Sequence, residues 1–271
     1  MRIWSLVVPL CLACVACMAA DGAKVAAQQP GYCNPPAIAA VTDGASDSTT
    51  LAPGSIAVIF WCDNTVPPPT TPVTSVLVHG LRSYVYPNQA TPASPTPANN
   101  ASSYLQLTVQ IPVGIEPGKA NIQLKRGTKV LAHAPIDLSA FAPGIFTLNE
   151  SGSGLVLAEH FDGSVVSAAC PAPPGEEVTI YAEGLGPTTP LVATGDLPSG
   201  LATTNTVPVL TVGANEAQIM FSGLSPTLVA VYQINFVVPA SGSGQKPLQI
   251  KIGQKSSDKV QLPVGPNGCA P

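Results

Sequence analysis

The 271 residues carry 15 acidic against 11 basic side chains, a net charge of −4, and only 10% of the chain is charged. That balance excludes the basic field a nucleic-acid binder needs and leaves few Glu and Lys for the exposed faces of helical bundles. With 45% hydrophobic residues, 5% aromatics, 30 prolines and 24 glycines, the chain can fill cores but is cut into short segments, the composition of an all-β sandwich protein long enough for two domains.

Residues 1–27 read as an export signal: Arg2 supplies the positive start, and Leu6 to Ala19 is an apolar run too short to span a bilayer. Small residues place cleavage between residues 19 and 27. A lipid anchor is the alternative, because Val15-Ala16 precedes Cys17 and Leu12-Ala13 precedes Cys14, each similar to the end of a bacterial lipobox. Membrane contact is expected only through such an anchor.

Three of the seven cysteines fall in this signal, leaving Cys33, Cys62, Cys170 and Cys269, an even number for an oxidising compartment. Four cysteines allow three connectivities. Cys33 with Cys62 and Cys170 with Cys269 is favoured, since each pair then stays within one domain and ties down a terminal segment. A zinc site would want close pairs such as C-x-x-C, and these four contain none.

Residues 28–50 form a polar lead-in. Pro53-Gly54 is a turn signal opening the apolar run Ser55 to Phe60, and the spacing predicts a first sandwich over residues 51–140. Thr65 to Pro72 is a stiff extended connection, Ser75 to His79 a strand, and Ala90 to Asn100 a low-complexity polar loop. From Tyr104 to Ile111 the chain alternates: Leu105, Leu107, Val109 and Ile111 turn to one face, Gln106, Thr108 and Gln110 to the other, until Pro112 removes a ladder donor. Asn121 to Lys125 continues the pattern.

Residues 141–150 link the halves and hold Pro143-Gly144 followed by Ile145 and Phe146, an apolar linker expected to pack against its neighbours. A second sandwich is expected over 151–265, with a short tail at 266–271. Asp162-Gly163 and Gly213 to Glu216 are hairpin signals, and Gly195 to Thr206 is a long polar connection. After Pro174-Gly175, Val178, Ile180 and Ala182 alternate with Thr179, Tyr181 and Glu183; Tyr232, Ile234, Phe236 and Val238 alternate with Gln233 and Asn235. Pro53 answers Pro174, Pro112 answers Pro239 and Lys125 answers Lys251, in the same order and at nearly constant spacing. One β unit is built twice, as a tandem pair of sandwiches.

The stretches APGSIAVIF, FAPGIFT, PGEEVTIYAEGLGP, LTVGANEAQIMFSGL and AVYQINFVVPA, with the DGS turn, resemble the C-terminal immunoglobulin-like domain of unknown function that recurs in exported proteins of soil acidobacteria. The resemblance runs from about Ala52 to Val264. It implies a pair of immunoglobulin-like β-sandwiches in an extracellular or cell-surface setting, and supplies no activity, cofactor or catalytic residue. The chain departs from the pattern at Trp61-Cys62-Asp63-Asn64, at the PPP segment and at the 90–100 loop.

No chemistry stands out. His160, Asp162 and Ser164 bring the residue types of a nucleophilic triad together, but Asp-Gly is explained by turn geometry and there is no G-x-S-x-G elbow. His133 with Asp137 reads as a solvated strand end. Glu176, Glu177 and Glu183 are the nearest carboxylates for glycoside hydrolysis, and Glu176 and Glu177, beside a Pro-Gly turn, serve solubility. No cofactor or metal site is expected, and the chain is read as a non-enzyme. The leading expectation is a secreted or surface module for adhesion or protein assembly, with an extracellular protein or polysaccharide as partner. The alternative is carbohydrate binding by Trp61, Tyr84 and Tyr86 as exposed stacking platforms, against the plainer reading that Trp61 packs over a Cys33–Cys62 bridge and the tyrosines are ordinary strand residues.

Overall fold

The computed structural model describes residues 37–63, 73–87 and 103–266. The expected signal with Cys14 and Cys17, the Cys33, Cys62 and Cys269 side chains, and the connections Thr65 to Pro72 and Ala90 to Asn100 lie outside what is described. All regular structure among the described residues is strand. The first half supplies β1 (Ala37–Asp43), β2 (Thr50–Leu51), β3 (Ile56–Asp63), β4 (Ser75–Val78), β5 (Leu81–Arg82), β6 (Tyr84–Val85), β7 (Ser103–Gln110), β8 (Gly118–Arg126) and β9 (Lys129–Leu138). They form one sheet ordered β1-β3-β7-β6 and a second ordered β2-β9-β8-β4-β5.

The second half supplies β10 (Gly144–Ile145), β11 (Ala158–Glu159), β12 (Glu177–Glu183), β13 (Thr188–Thr189), β14 (Thr203–Thr204), β15 (Val209–Val212) and β16 (Asn215–Glu216). It continues with β17 (Gln218–Leu224), β18 (Tyr232–Val237), β19 (Gly244–Ile252), β20 (Lys255–Ser256) and β21 (Val260–Val264). One sheet is ordered β10-β12-β18-β17-β14-β13 and faces another ordered β16-β15-β19-β20, with β21 on β19.

The two halves repeat one topology. β3 pairs with β7 as β12 pairs with β18, and β4 pairs with β8 as β15 pairs with β19. Lys125 lies opposite Ser75 and Lys251 opposite Val209 in matching ladders. In each half a short early segment runs parallel to the last strand, Thr50 beside Asp137 and Leu155 beside Gln261. The two Pro-Gly turns are built alike. Proline holds the first corner, glycine accepts the positive φ of the second, 80° at Gly54 and 90° at Gly175. Gly54 N–H then donates to the Ile111 carbonyl and Gly175 N–H to that of Val238, while Ile111 N–H and Val238 N–H donate back to Ser55 and Glu176. This is a tandem pair of immunoglobulin-like β-sandwiches.

Each sandwich closes over its own core. Ile59, Val76, Val109, Ile122 and Leu124 are buried in the first, and Val178, Ile180, Leu210, Ile234, Phe236 and Ile250 in the second. Period-two alternation drives this, because a pleated strand turns every other side chain to the same face. Three expectations change in the structure. The polar lead-in holds a full strand, β1, whose small residues are stabilised by pairing with β3 rather than by their own propensity. The 141–150 linker contributes β10, which pairs with β12, and Ile145 enters the second core. The connection from Gly195 to Thr206 is not simply polar and external, since it carries β14 and the buried Ala202.

The faces that alternation assigns to solvent also behave unexpectedly. Gln106, Thr108 and Gln110 of β7 are buried, as are Tyr181 and Glu183 of β12. Gln110, Tyr181 and Glu183 are covered because at these positions each sandwich turns that face toward the other.

Candidate functional site at the junction of the sandwiches

A third apolar cluster lies where the sandwiches meet, formed by Ile56 and Tyr86 from the first and Phe146, Leu157, Tyr181 and Val231 from the second. Polar bonds surround it. The Tyr86 hydroxyl donates to the Val229 carbonyl at 2.8 Å, Gly195 N–H donates to Gln110 Oε1 at 2.6 Å, and Val113 N–H donates to Thr194 Oγ1 at 3.1 Å. Burial raises the Tyr86 phenol well above its ordinary range, so it stays a neutral donor. Tyr84 packs edge-to-face on Tyr86 with ring centroids 5.0 Å apart, and its ring lies against Gly195, where a Cβ would come within 2.8 Å of Cδ2.

The deepest polar group here is Glu183, whose side chain is fully buried. It ends β12 in the second sandwich, and its Oε2 accepts the Ile56 N–H of the first at 2.7 Å. The Gly44 and Ala45 amides also face the carboxyl group, though Oε1 has no well-aligned donor. Burial, and then the neighbouring Asp43 charge, push Glu183 well above the usual carboxylate range. Asp43 closes the turn after β1: Oδ1 accepts Ala45 N–H at 3.0 Å and Ser46 N–H at 2.6 Å, and Oδ2 accepts the Ser46 hydroxyl at 2.7 Å. Burial raises Asp43 as well. Beside it a cleft of about 240 Å³ is lined by residues of both halves, among them Ser48, Thr50, Lys255 and Asp258.

The aromatic trio does not form the stacking platform considered from the sequence. Trp61 is only 2% exposed and belongs to the first core, because β3 turns it inward with Ile59 and Ala57. Tyr84 and Tyr86 are turned toward the second sandwich. The structure thus separates Trp61 from the two tyrosines by role.

The catalytic combinations come apart similarly. Asp162 Oδ1 accepts both the backbone N–H and the hydroxyl of Ser164, an Asx turn that closes the expected hairpin. His160 points elsewhere: its Nδ1 lies 2.9 Å from Glu176 Oε2, and its Nε2 lies 3.2 Å from both the carbonyl oxygen and the sulfur of Cys170. It ties the hairpin to the Pro-Gly turn and to the Cys170 loop. Glu177 accepts from Asn235, and Asp137 pairs with Lys119. Glu176, Glu177 and Glu183 therefore have three different partners and do not converge on a substrate. Among the described residues, no group of three His, Cys, Asp or Glu is placed to hold a metal, and no helix is long and apolar enough to cross a membrane.

Large apolar side chains stand exposed around β13, β14 and β17, with Leu191 at 64%, Leu201 at 78%, Val207 at 67% and Met220 at 54%. Thr188 pairs with Thr204 and Thr189 with Thr203, and Leu191 and Leu201 lie on the chain just beyond this short ladder. The signal lay in three large apolar residues, Leu191, Leu197 and Leu201, scattered through an otherwise polar connection.

No family model matches the chain, and no curated protein matches it. Among solved structures it is similar to the mixed-linkage glucan utilization locus protein SGBP-B of Bacteroides ovatus in complex with a mixed-linkage heptasaccharide, at 14% identity and a TM-score of 0.37, covering 87% of this chain and 46% of that one. The chain thus spans less than half of that protein. It is also similar to domains 5–6 of the S-layer protein SbsC, at 16% identity and a TM-score of 0.26, covering 86% and 99%. Tandem Ig repeats of Dlar match at 12% identity and a TM-score of 0.22, covering 86% and 99%. These likenesses extend to the fold and no further.

Proposed function

We propose that the chain is a non-enzymatic module of the cell exterior, working in adhesion or protein–protein assembly through the apolar surface around β13, β14 and β17. The observation that carries this reading is the group of exposed Leu191, Leu201, Val207 and Met220, since exposed apolar patches on soluble domains mark contact surfaces. The junction supports it, because it joins this surface to a second sandwich and so gives the contact a broad base. The two sandwiches place their polar residues in turns, ladders and the junction, which suits a load-bearing or presenting role. Export by the N-terminal signal, and kinship with the acidobacterial immunoglobulin-like domains, belong to the same proposal. So does pairing of Cys170 with Cys269, since Gly265 N–H donates to the Ala172 carbonyl and so sets the strand that leads into the tail beside the Cys170 loop.

The test is adhesion of the purified protein to surfaces coated with extracellular protein or with soluble polysaccharides, compared with Leu191→Ser/Leu201→Ser. Saturable adhesion to protein that the double variant loses is the expected result. Saturable binding to polysaccharide, unchanged in the variant, would overturn the reading in favour of carbohydrate recognition.

A further inference from the structure

We propose that the joint between the sandwiches is a proton-controlled latch, in which Glu183 of β12, docked on the backbone of the first sandwich beside Asp43, holds the joint closed when neutral and loosens it when ionised. This goes beyond the adhesive role and does not depend on it. The geometry carries the argument. Glu183 is fully buried and bonds across the joint to Ile56 N–H, so any change in its charge acts directly on the contact between the halves.

The surroundings offer that charge little compensation. The titratable groups facing it are Asp43 on β1, with Asp47 acting on Asp43 in turn, Tyr86 after β6 and Tyr232 on β18. All are acids. Both phenol hydroxyls are already committed, Tyr86 to the Val229 carbonyl and Tyr232 to that of Gly186. Lys255 and Asp258, of opposite sign, line the cleft beside Asp43, but Glu183 itself accepts from backbone amides and not from a cation. Three backbone amides favour the anion, but a desolvated carboxylate beside a second one, without a cation, is disfavoured more strongly. The group therefore keeps its proton in the closed joint and releases it more readily when water enters.

The sign follows from where the proton is held more tightly. Glu183 and Asp43 both lie above their ordinary values of 4.5 and 3.8 in the closed form, so the closed joint binds protons that the open joint releases. Its stability is greatest below that ordinary range. It declines as pH rises above the range, until Glu183 ionises within the closed form.

Amide hydrogen exchange of the full chain at Ile56, corrected for the intrinsic base-catalysed rate, reads the latch directly. Protection at Ile56 should fall by about tenfold or more between about pH 5 and pH 9, while core amides such as Ile180 keep theirs. Glu183→Gln should abolish that fall, because the amide is neutral at every pH. Should that variant not fold, Asp43→Asn, which removes the neighbouring like charge but retains an acceptor for the turn, should show a smaller fall than the wild type. Protection at Ile56 that is flat with pH in the wild type, or a fall of equal size in the variants, overturns the proposal.

Discussion

Gly184 offers the sharpest test of how the linker and β12 are fitted together. It follows Glu183 with φ of +70°, and a Cβ there would lie 1.9 Å from the Ala142 carbonyl oxygen. The two backbones cannot simply separate, since Ala142 N–H donates to the Gly184 carbonyl at 2.9 Å. For Gly184→Ala the left-handed conformation costs about 1–2 kcal/mol. Relieving the clash adds about 1–3 kcal/mol by analogy with overpacked cores. Loss of the hydrogen bond adds about 1 kcal/mol. The expected total is about 3–6 kcal/mol, at the upper end of single-substitution effects. Gly163 is the control, because its φ of +83° is similar but no atom lies within 4 Å of the added Cβ; Gly163→Ala should cost only about 1–2 kcal/mol. Urea unfolding followed by far-ultraviolet circular dichroism should show the second sandwich's midpoint lowered by about 1.5–3 M for Gly184→Ala at an m-value of about 2 kcal/mol/M. Equal losses in the two variants, within about 0.5 kcal/mol, would refute the close approach as the reason for glycine.

Tyr86→Phe deletes the hydroxyl that bonds Val229 and should cost about 1–1.5 kcal/mol of coupling between the sandwiches, read by calorimetry as transitions that move apart. Trp61→Ala should destabilise the first sandwich by about 3–5 kcal/mol through the cavity it leaves, and titration with polysaccharides should leave the wild-type Trp fluorescence unchanged. His160→Ala removes the partner of Glu176 and of Cys170 and should lower the second sandwich's unfolding free energy by about 2 kcal/mol; a variant as stable as the wild type would contradict the tying role given to this histidine.

The repeat was legible because its signals are local. Pro-Gly turns, the prolines that close strands and strict alternation depend on neighbours within a few residues, and each recurs at matching positions in the two halves. The strand β1 was not legible, since Ala37 to Asp43 has weak β propensity and gains its place from pairing with β3. Alternation correctly separated the two faces of β7 and β12 but could not say that the second face is covered too. Gln110, Tyr181 and Glu183 look like solvent-facing residues in a single sandwich, and only the packing of one sandwich on another makes them interior. Tyr84 and Tyr86, read from the sequence as platforms for a ligand, lie instead against the second sandwich of the same chain.

The central claim is that the sandwiches are held in one fixed arrangement by the contacts of Glu183, Tyr86 and Gly195. Backbone N–H residual dipolar couplings of the weakly aligned protein, measured at about pH 5, where the joint is expected to be closed, test it most directly. The account predicts that one alignment tensor fits the strands of both sandwiches in the orientation described. Two tensors of different magnitude, one for each sandwich, would show that they move independently and would contradict it.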